Sequence, residues 1–151
     1  AAFHNPASGR PHSRASPALP HASRTRAAVT TPTTPRILLV EDDTAIRELT
    51  GDVLAESGYD ITAVGDAEAA VTALCGAKSF DLLISDIRLP GMSGCELASH
   101  AMTRDPDLRV LLMTGYAGRV AGDPEIVPDH IPLLRKPFTM RQLLTSVHST
   151  I

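Results

Sequence analysis

The chain reads as an α/β protein, a doubly wound parallel sheet of five strands. Three observations carry that reading. Five short apolar runs alternate with segments of helical periodicity. The connections between them are short, which favours right-handed crossovers that place helices on both faces of one sheet. Polar residues gather just past the carboxyl ends of four of the five runs, the edge at which such sheets hold their ligands.

The elements follow in order. Residues 36–40 (Arg-Ile-Leu-Leu-Val) form a continuous apolar run, the pattern of a strand buried on both faces. Glu41-Asp42-Asp43 ends it, and one of these acids is a candidate helix N-cap. Residues 44–57 read as a helix with Ile46, Leu49 and Val53 inward and Gly58 at the C-terminal cap. Residues 60–64 make a second strand. Asp66 caps the next helix, with Ala67, Ala70, Val71 and Leu74 inward. Residues 80–84 form the third strand, followed by Ser85, Asp86 and a loop containing Pro90, Gly91 and Gly94. Residues 95–104 are helical, and 109–113 form the fourth strand, ending at Thr114-Gly115. Glycines and prolines make any helix in 116–129 short or irregular. Residues 131–134 form the fifth strand, Lys136-Pro137-Phe138 ends it, and 139–149 form a last helix with Met140, Leu143, Leu144 and Val147 inward.

The 151 residues suffice for one domain with a real core. Residues 1–35 stand apart. They hold Arg10, Arg14, Arg24 and Arg26, no acid and few large apolar side chains, so they read as a disordered arm or linker ahead of a folded part at 36–151. All 17 acids fall in the folded part, against ten Lys and Arg. That excess of negative charge argues against direct binding to nucleic acid. No apolar run approaches the roughly 20 residues needed to cross a bilayer, so no membrane association is expected. Cys75 and Cys95 fit no metal or redox spacing and read as free thiols of a cytoplasmic protein.

If strands 1 and 3 are neighbours, as in the flavodoxin-like order 2-1-3-4-5, acids from both converge. Asp42 and Asp43 follow strand 1, Asp86 follows strand 3, Thr114 strand 4 and Lys136 strand 5. Converging carboxylates repel one another, and a hard divalent cation with oxygen ligands, Mg2+, relieves this. Carboxylates, Mg2+, a lysine and a hydroxyl make a phosphoryl-transfer site. Asp86 is then the nucleophile, because Asp42 and Asp43 can hold the metal as a pair.

These residues resemble the receiver domain of bacterial response regulators and hybrid histidine kinases over about 36–150. The resemblance rests on the acids of Val40-Glu41-Asp42-Asp43, on Asp86 followed by Leu89-Pro90-Gly91-Met92-Ser93-Gly94, on Thr114, and on Lys136-Pro137-Phe138. It implies that Asp86 accepts a phosphoryl group from a phosphohistidine on a histidine kinase or histidine phosphotransferase. It implies Mg2+ ligation by Asp42, Asp43, Asp86 and the backbone carbonyl of Arg88, and contact of Thr114 and Lys136 with phosphoryl oxygens. It implies a cis bond before Pro137, and docking of the partner around Ile46, Arg47 and Thr50. Such a protein is a phosphoacceptor in a phosphorelay and not an enzyme with a separate substrate. The stretch Leu112 to Gly118 is similar to receivers of hybrid kinases, and no output domain is expected in this chain.

One departure stands out. Leu133 occupies the switch position, where the family often has Tyr or Phe. It is the one support for an alternative, a degenerate receiver that acts only as a binding module. A flavin or nucleotide module on the same fold is disfavoured, because three acids follow strand 1 where a phosphate-binding loop would lie. An aspartyl phosphatase is disfavoured by the lack of an Asp-x-Asp pair there.

Overall fold

The computed structural model describes residues 31–115 and 127–151. The expected arm therefore lies almost wholly outside the described residues, as does most of the irregular stretch after Gly115, including Tyr116. Among the described residues there are nine elements, with strand and helix alternating from β1 to β4. They are β1 (Arg36–Val40), α1 (Thr44–Glu56), β2 (Asp60–Val64), α2 (Ala67–Leu74), β3 (Leu82–Asp86), α3 (Gly94–Arg104), β4 (Arg109–Thr114), β5 (Leu133–Arg135) and α4 (Met140–Thr150). The five strands are all parallel in the order β2-β1-β3-β4-β5, as the sequence predicts.

Strand periodicity of two divides the core. Leu38, Val40, Leu83, Val110 and Leu112 point to one face and pack with Ala67, Ala70, Leu97, Ala98 and Ala101 of α2 and α3. Ile37, Leu39, Leu82, Ile84, Leu111 and Met113 point to the other and pack with Leu54, Leu143 and Val147 of α1 and α4. Both faces of the central strands are thus dry, which is why those strands read as unbroken apolar runs.

Three expectations need correction. β3 spans Leu82–Asp86, two residues later than the apolar run 80–84. Phe80 lies under the Arg36 guanidinium, 5.1 Å from ring centroid to Cζ, and Asp81 takes the Arg36 backbone N–H on its carboxylate at 2.7 Å. The ladder then runs on through Ser85 and Asp86, which a count of apolar residues leaves out. In α1 the inward line is Thr50 and Leu54, whereas Leu49 is 54% exposed. Gly51 follows Thr50 toward the sheet, where a Cβ would make ordinary van der Waals contact, 3.9 Å from Leu39 and 4.0 Å from Ile61. Thr50, buried, is therefore off any docking surface. Met140, at the first position of α4, is exposed, and Leu143, Val147 and Thr150 form that helix's buried line.

Caps hold the helices to the strand ends. Asp43, Asp66, Ser93 and Thr139 each accept from a backbone N–H of the first turn, and Ser93–Glu96 and Thr139–Gln142 close reciprocal capping boxes. Gly58, with φ +95°, follows the end of α1 in the conformation that releases a chain from a helix.

Backbone contacts fix the loop after β3. The Ile87 N–H donates to the Met113 carbonyl at 2.9 Å, and the Gly94 N–H donates to the Ile87 carbonyl at 2.8 Å. The Ser85 hydroxyl donates to the Asp86 carbonyl at 2.9 Å. A Cβ on Gly94 would stand 2.1 Å from the Asp86 carbonyl oxygen and 2.9 Å from Ile87 Cα. Backbone passes against backbone there, and no rotamer change relieves the clash. Gly94→Ala should therefore lower stability by about 1–3 kcal/mol or more, read as a fall in the urea midpoint.

Candidate functional site

The register of the sheet selects the site. Val40 pairs with Ser85 across β1 and β3, so the next residues, Glu41 and Asp86, leave neighbouring strands side by side. Asp86 pairs with Met113, and Thr114 follows one residue later. Thr114 pairs with Arg135, and Lys136 follows it, its N–H donating to the Thr114 carbonyl at 2.7 Å. The Lys136–Pro137 peptide is cis.

Like charges on adjacent strands destabilise a sheet unless something stands between them. Lys136 does so. Its Nζ lies 2.5 Å from Glu41 Oε2 and 2.7 Å from Asp86 Oδ2. Glu41 is 1% exposed and Asp86 8%. The remaining oxygens are also engaged. The Arg88 N–H donates to Asp86 Oδ1 at 3.1 Å, and the Asp43 N–H donates to Glu41 Oε1 at 3.2 Å.

Burial pushes the Glu41 carboxyl above its ordinary 4.5, and the hydrogen bond and charge of Lys136 only partly oppose this. Burial also acts to lower the Lys136 ammonium, but its hydrogen bonds to Asp86 and Glu41 and their charges prevail, leaving it above 10.5. A raised lysine stabilises the fold fully below 10.5, and that contribution is lost as pH rises through the folded value.

Glu41, Asp42 and Asp86 each offer a carboxylate oxygen within 4.8 Å of the other two. The donor set suits a hard cation such as Mg2+. All the atoms are carboxylate oxygens, two of the groups are buried with one lysine between two negative charges, and exposed Asp42 leaves a side open to water. Asp43, expected beside Asp42, is not in this group. Its Oδ1 accepts the Ile46 N–H at 3.0 Å as the N-cap of α1. The acidic pair beside Asp86 is therefore Glu41-Asp42 and not Asp42-Asp43. The sequence carried a signal for this: an acid three residues before Ile46, at the start of a helix, is placed to cap it. Arg88 is exposed two residues past Asp86, and Leu133 is 41% exposed on β5.

The geometry agrees with comparison to known proteins. The family model for the response regulator receiver domain matches residues 37–148. The chain belongs to that family. It is 42% identical over 112 residues to the response regulator protein FleR of Pseudomonas aeruginosa, covering 74% of this chain and 24% of that protein. It is 34% identical over 116 residues to the response regulator receiver protein CpdR of Brucella abortus, covering 77% and 96%. The receiver thus spans about a quarter of one relative and nearly all of the other. The crystal structure of response regulator TrrA from Thermotoga maritima, in complex with Mg2+ and BeF, superposes with a TM-score of 0.67 at 30% identity, covering 78% of this chain and all of that one. No helix among the described residues is long and apolar enough to cross a membrane.

Removing the ammonium should expose the cost of the two buried carboxylates. Lys136→Met should destabilise the metal-free receiver by about 3–5 kcal/mol, and excess Mg2+ should recover part of that loss. Thermal denaturation with and without Mg2+ checks both, and a mutant that melts like wild type without Mg2+ would contradict them.

Proposed function

We propose that this receiver is a phosphoacceptor of a two-component phosphorelay, and that Asp86 is the residue phosphorylated. One observation carries the reading. Three carboxylates, Asp86 among them, and a lysine meet at the carboxyl ends of β1, β3 and β5. An Asp86 oxygen attacks the phosphorus of a partner's phosphohistidine, the phosphorus–nitrogen bond breaks, and the imidazole leaves. Lys136 and Thr114 bind the phosphoryl oxygens. Glu41, Asp42, Asp86 and the Arg88 carbonyl hold Mg2+, whose charge offsets that of the carboxylates and of the incoming phosphoryl group. The binding of Mg2+ and BeF by TrrA supports the choice of ion.

The partner is a histidine kinase or histidine phosphotransferase, and the setting is cytoplasmic. The chain takes and loses a phosphoryl group and transforms no separate substrate. The exposed Leu133, standing at the switch position, supports a second reading in which the receiver only binds partners.

Incubation with a small phosphodonor and Mg2+ should attach one acid-labile phosphate to the wild-type protein and none to Asp86→Asn. Uptake that persists in the mutant would sink the assignment, and wild type that takes none would favour the binding module. The metal ligands are tested separately. Asp43→Asn preserves an N-cap side chain and should leave Mg2+ affinity close to wild type. Asp42→Asn should weaken it by about tenfold or more. Calorimetric titration distinguishes the two.

A further inference from the structure

Arg47 lies on α1 and directs its guanidinium at backbone carbonyls and a hydroxyl. Its Nη1 donates to the Glu41 carbonyl at 2.7 Å and lies 3.5 Å from the Asp42 carbonyl, and its Nη2 lies 3.4 Å from the Thr44 hydroxyl. On its other side the Glu41 peptide donates its N–H to the Val64 carbonyl of β2 at 3.1 Å. The residue that carries the buried carboxylate is thus held through the peptide groups on both sides of its Cα, and the next carbonyl is touched by the same guanidinium. Cap geometry brings Arg47 into reach. Its own N–H donates to the Asp43 carbonyl at 2.9 Å, which starts the helix and sets its phase.

The guanidinium lies over Gly65, just past β2. A Cβ on Gly65 would stand 3.1 Å from Nη1 and 3.6 Å from Cζ. A side chain there requires the guanidinium to shift by a few tenths of an ångström from the position in which it grips the carbonyls. Gly65 has no positive φ, so its backbone alone would accept alanine.

We propose that Arg47 is a positioning residue for the acidic pair, and that Gly65 keeps open the space from which it acts. The inference rests on the Mg2+ reading above. By fixing the rotation of two successive peptides, the guanidinium sets the directions in which Glu41 and Asp42 leave the chain. Mg2+ tolerates little departure from octahedral geometry, so the aim of its carboxylates governs affinity. A planar fork with several donors suits this role better than a single ammonium.

The test is a Mg2+ titration by calorimetry on five proteins: wild type, Arg47→Ala, Arg47→Lys, Gly65→Ala, and Gly65→Ala combined with Arg47→Ala. Thermal melting of each is measured alongside. Arg47→Ala should raise the Mg2+ Kd about 10- to 100-fold, the range found when groups that orient metal ligands are lost. Arg47→Lys should recover part of it. Gly65→Ala should weaken binding when Arg47 is present and add nothing when it is absent, a coupling that a general loss of stability would not produce. If Arg47→Ala fails to fold, Gly65→Ala and Arg47→Lys still decide. Mg2+ binding at wild-type affinity in the arginine variants, or an equal effect of Gly65→Ala in both backgrounds, overturns the inference alone. A wild-type protein that takes no Mg2+ overturns the metal reading and this inference with it.

Discussion

Two carboxylates and one ammonium meet at the carboxyl ends of β1, β3 and β5, and the arrangement depends on all three strands being in register. Glu41 and Asp86 leave adjacent strands side by side, almost fully buried. Lys136 reaches both from the far end of the sheet. A buried ion cluster of this kind is a poor source of net stability, because desolvation offsets much of the Coulombic gain. Its consequence is a concentration of negative charge that one lysine balances only in part. That imbalance suits the carboxylate group to a hard divalent cation.

The surrounding backbone leaves the cluster little freedom. Asp86 is held by the ladder to β4, by the Ser85 hydroxyl and by the close passage of Gly94. Glu41 is held by Val64 on one side and Arg47 on the other. The two dry layers of aliphatic side chains beneath keep β1, β3 and β4 from shifting against one another. Rigid strands therefore set the positions of the acids, while Arg88, Pro90 and Gly91 lie exposed on the loop beyond them.

Much of this was legible in the residues. Unbroken aliphatic runs and short connections carried the parallel sheet; its order, and with it the meeting of Asp86 with Lys136, was assumed from the flavodoxin-like pattern and is what the structure shows. Two of the errors come from counting apolar residues, and a third from a run of like residues. Leu49 looked inward because a hydrophobic count ignores Thr50 and Gly51, which form the line that faces the sheet. Strand β3 looked shorter at its carboxyl end because Ser85 and Asp86 are polar, yet backbone pairing takes no account of side-chain polarity. Asp43 looked like a ligand because three successive acids are equivalent until one is spent on a cap.

The sequence by itself carried the fold class, through periodicity and short connections, and placed Asp86 among the polar residues at the strand ends; the family came from the resemblance of its motifs. All of these are local features of the chain. Only the tertiary structure decided which neighbours join Asp86. The choice of Glu41 over Asp43, and the grip of Arg47 on the Glu41 carbonyl, depend on the pairing of β1 with β3 and on the phase of α1. Those are relations between segments distant in the chain, and no stretch of residues read alone contains them.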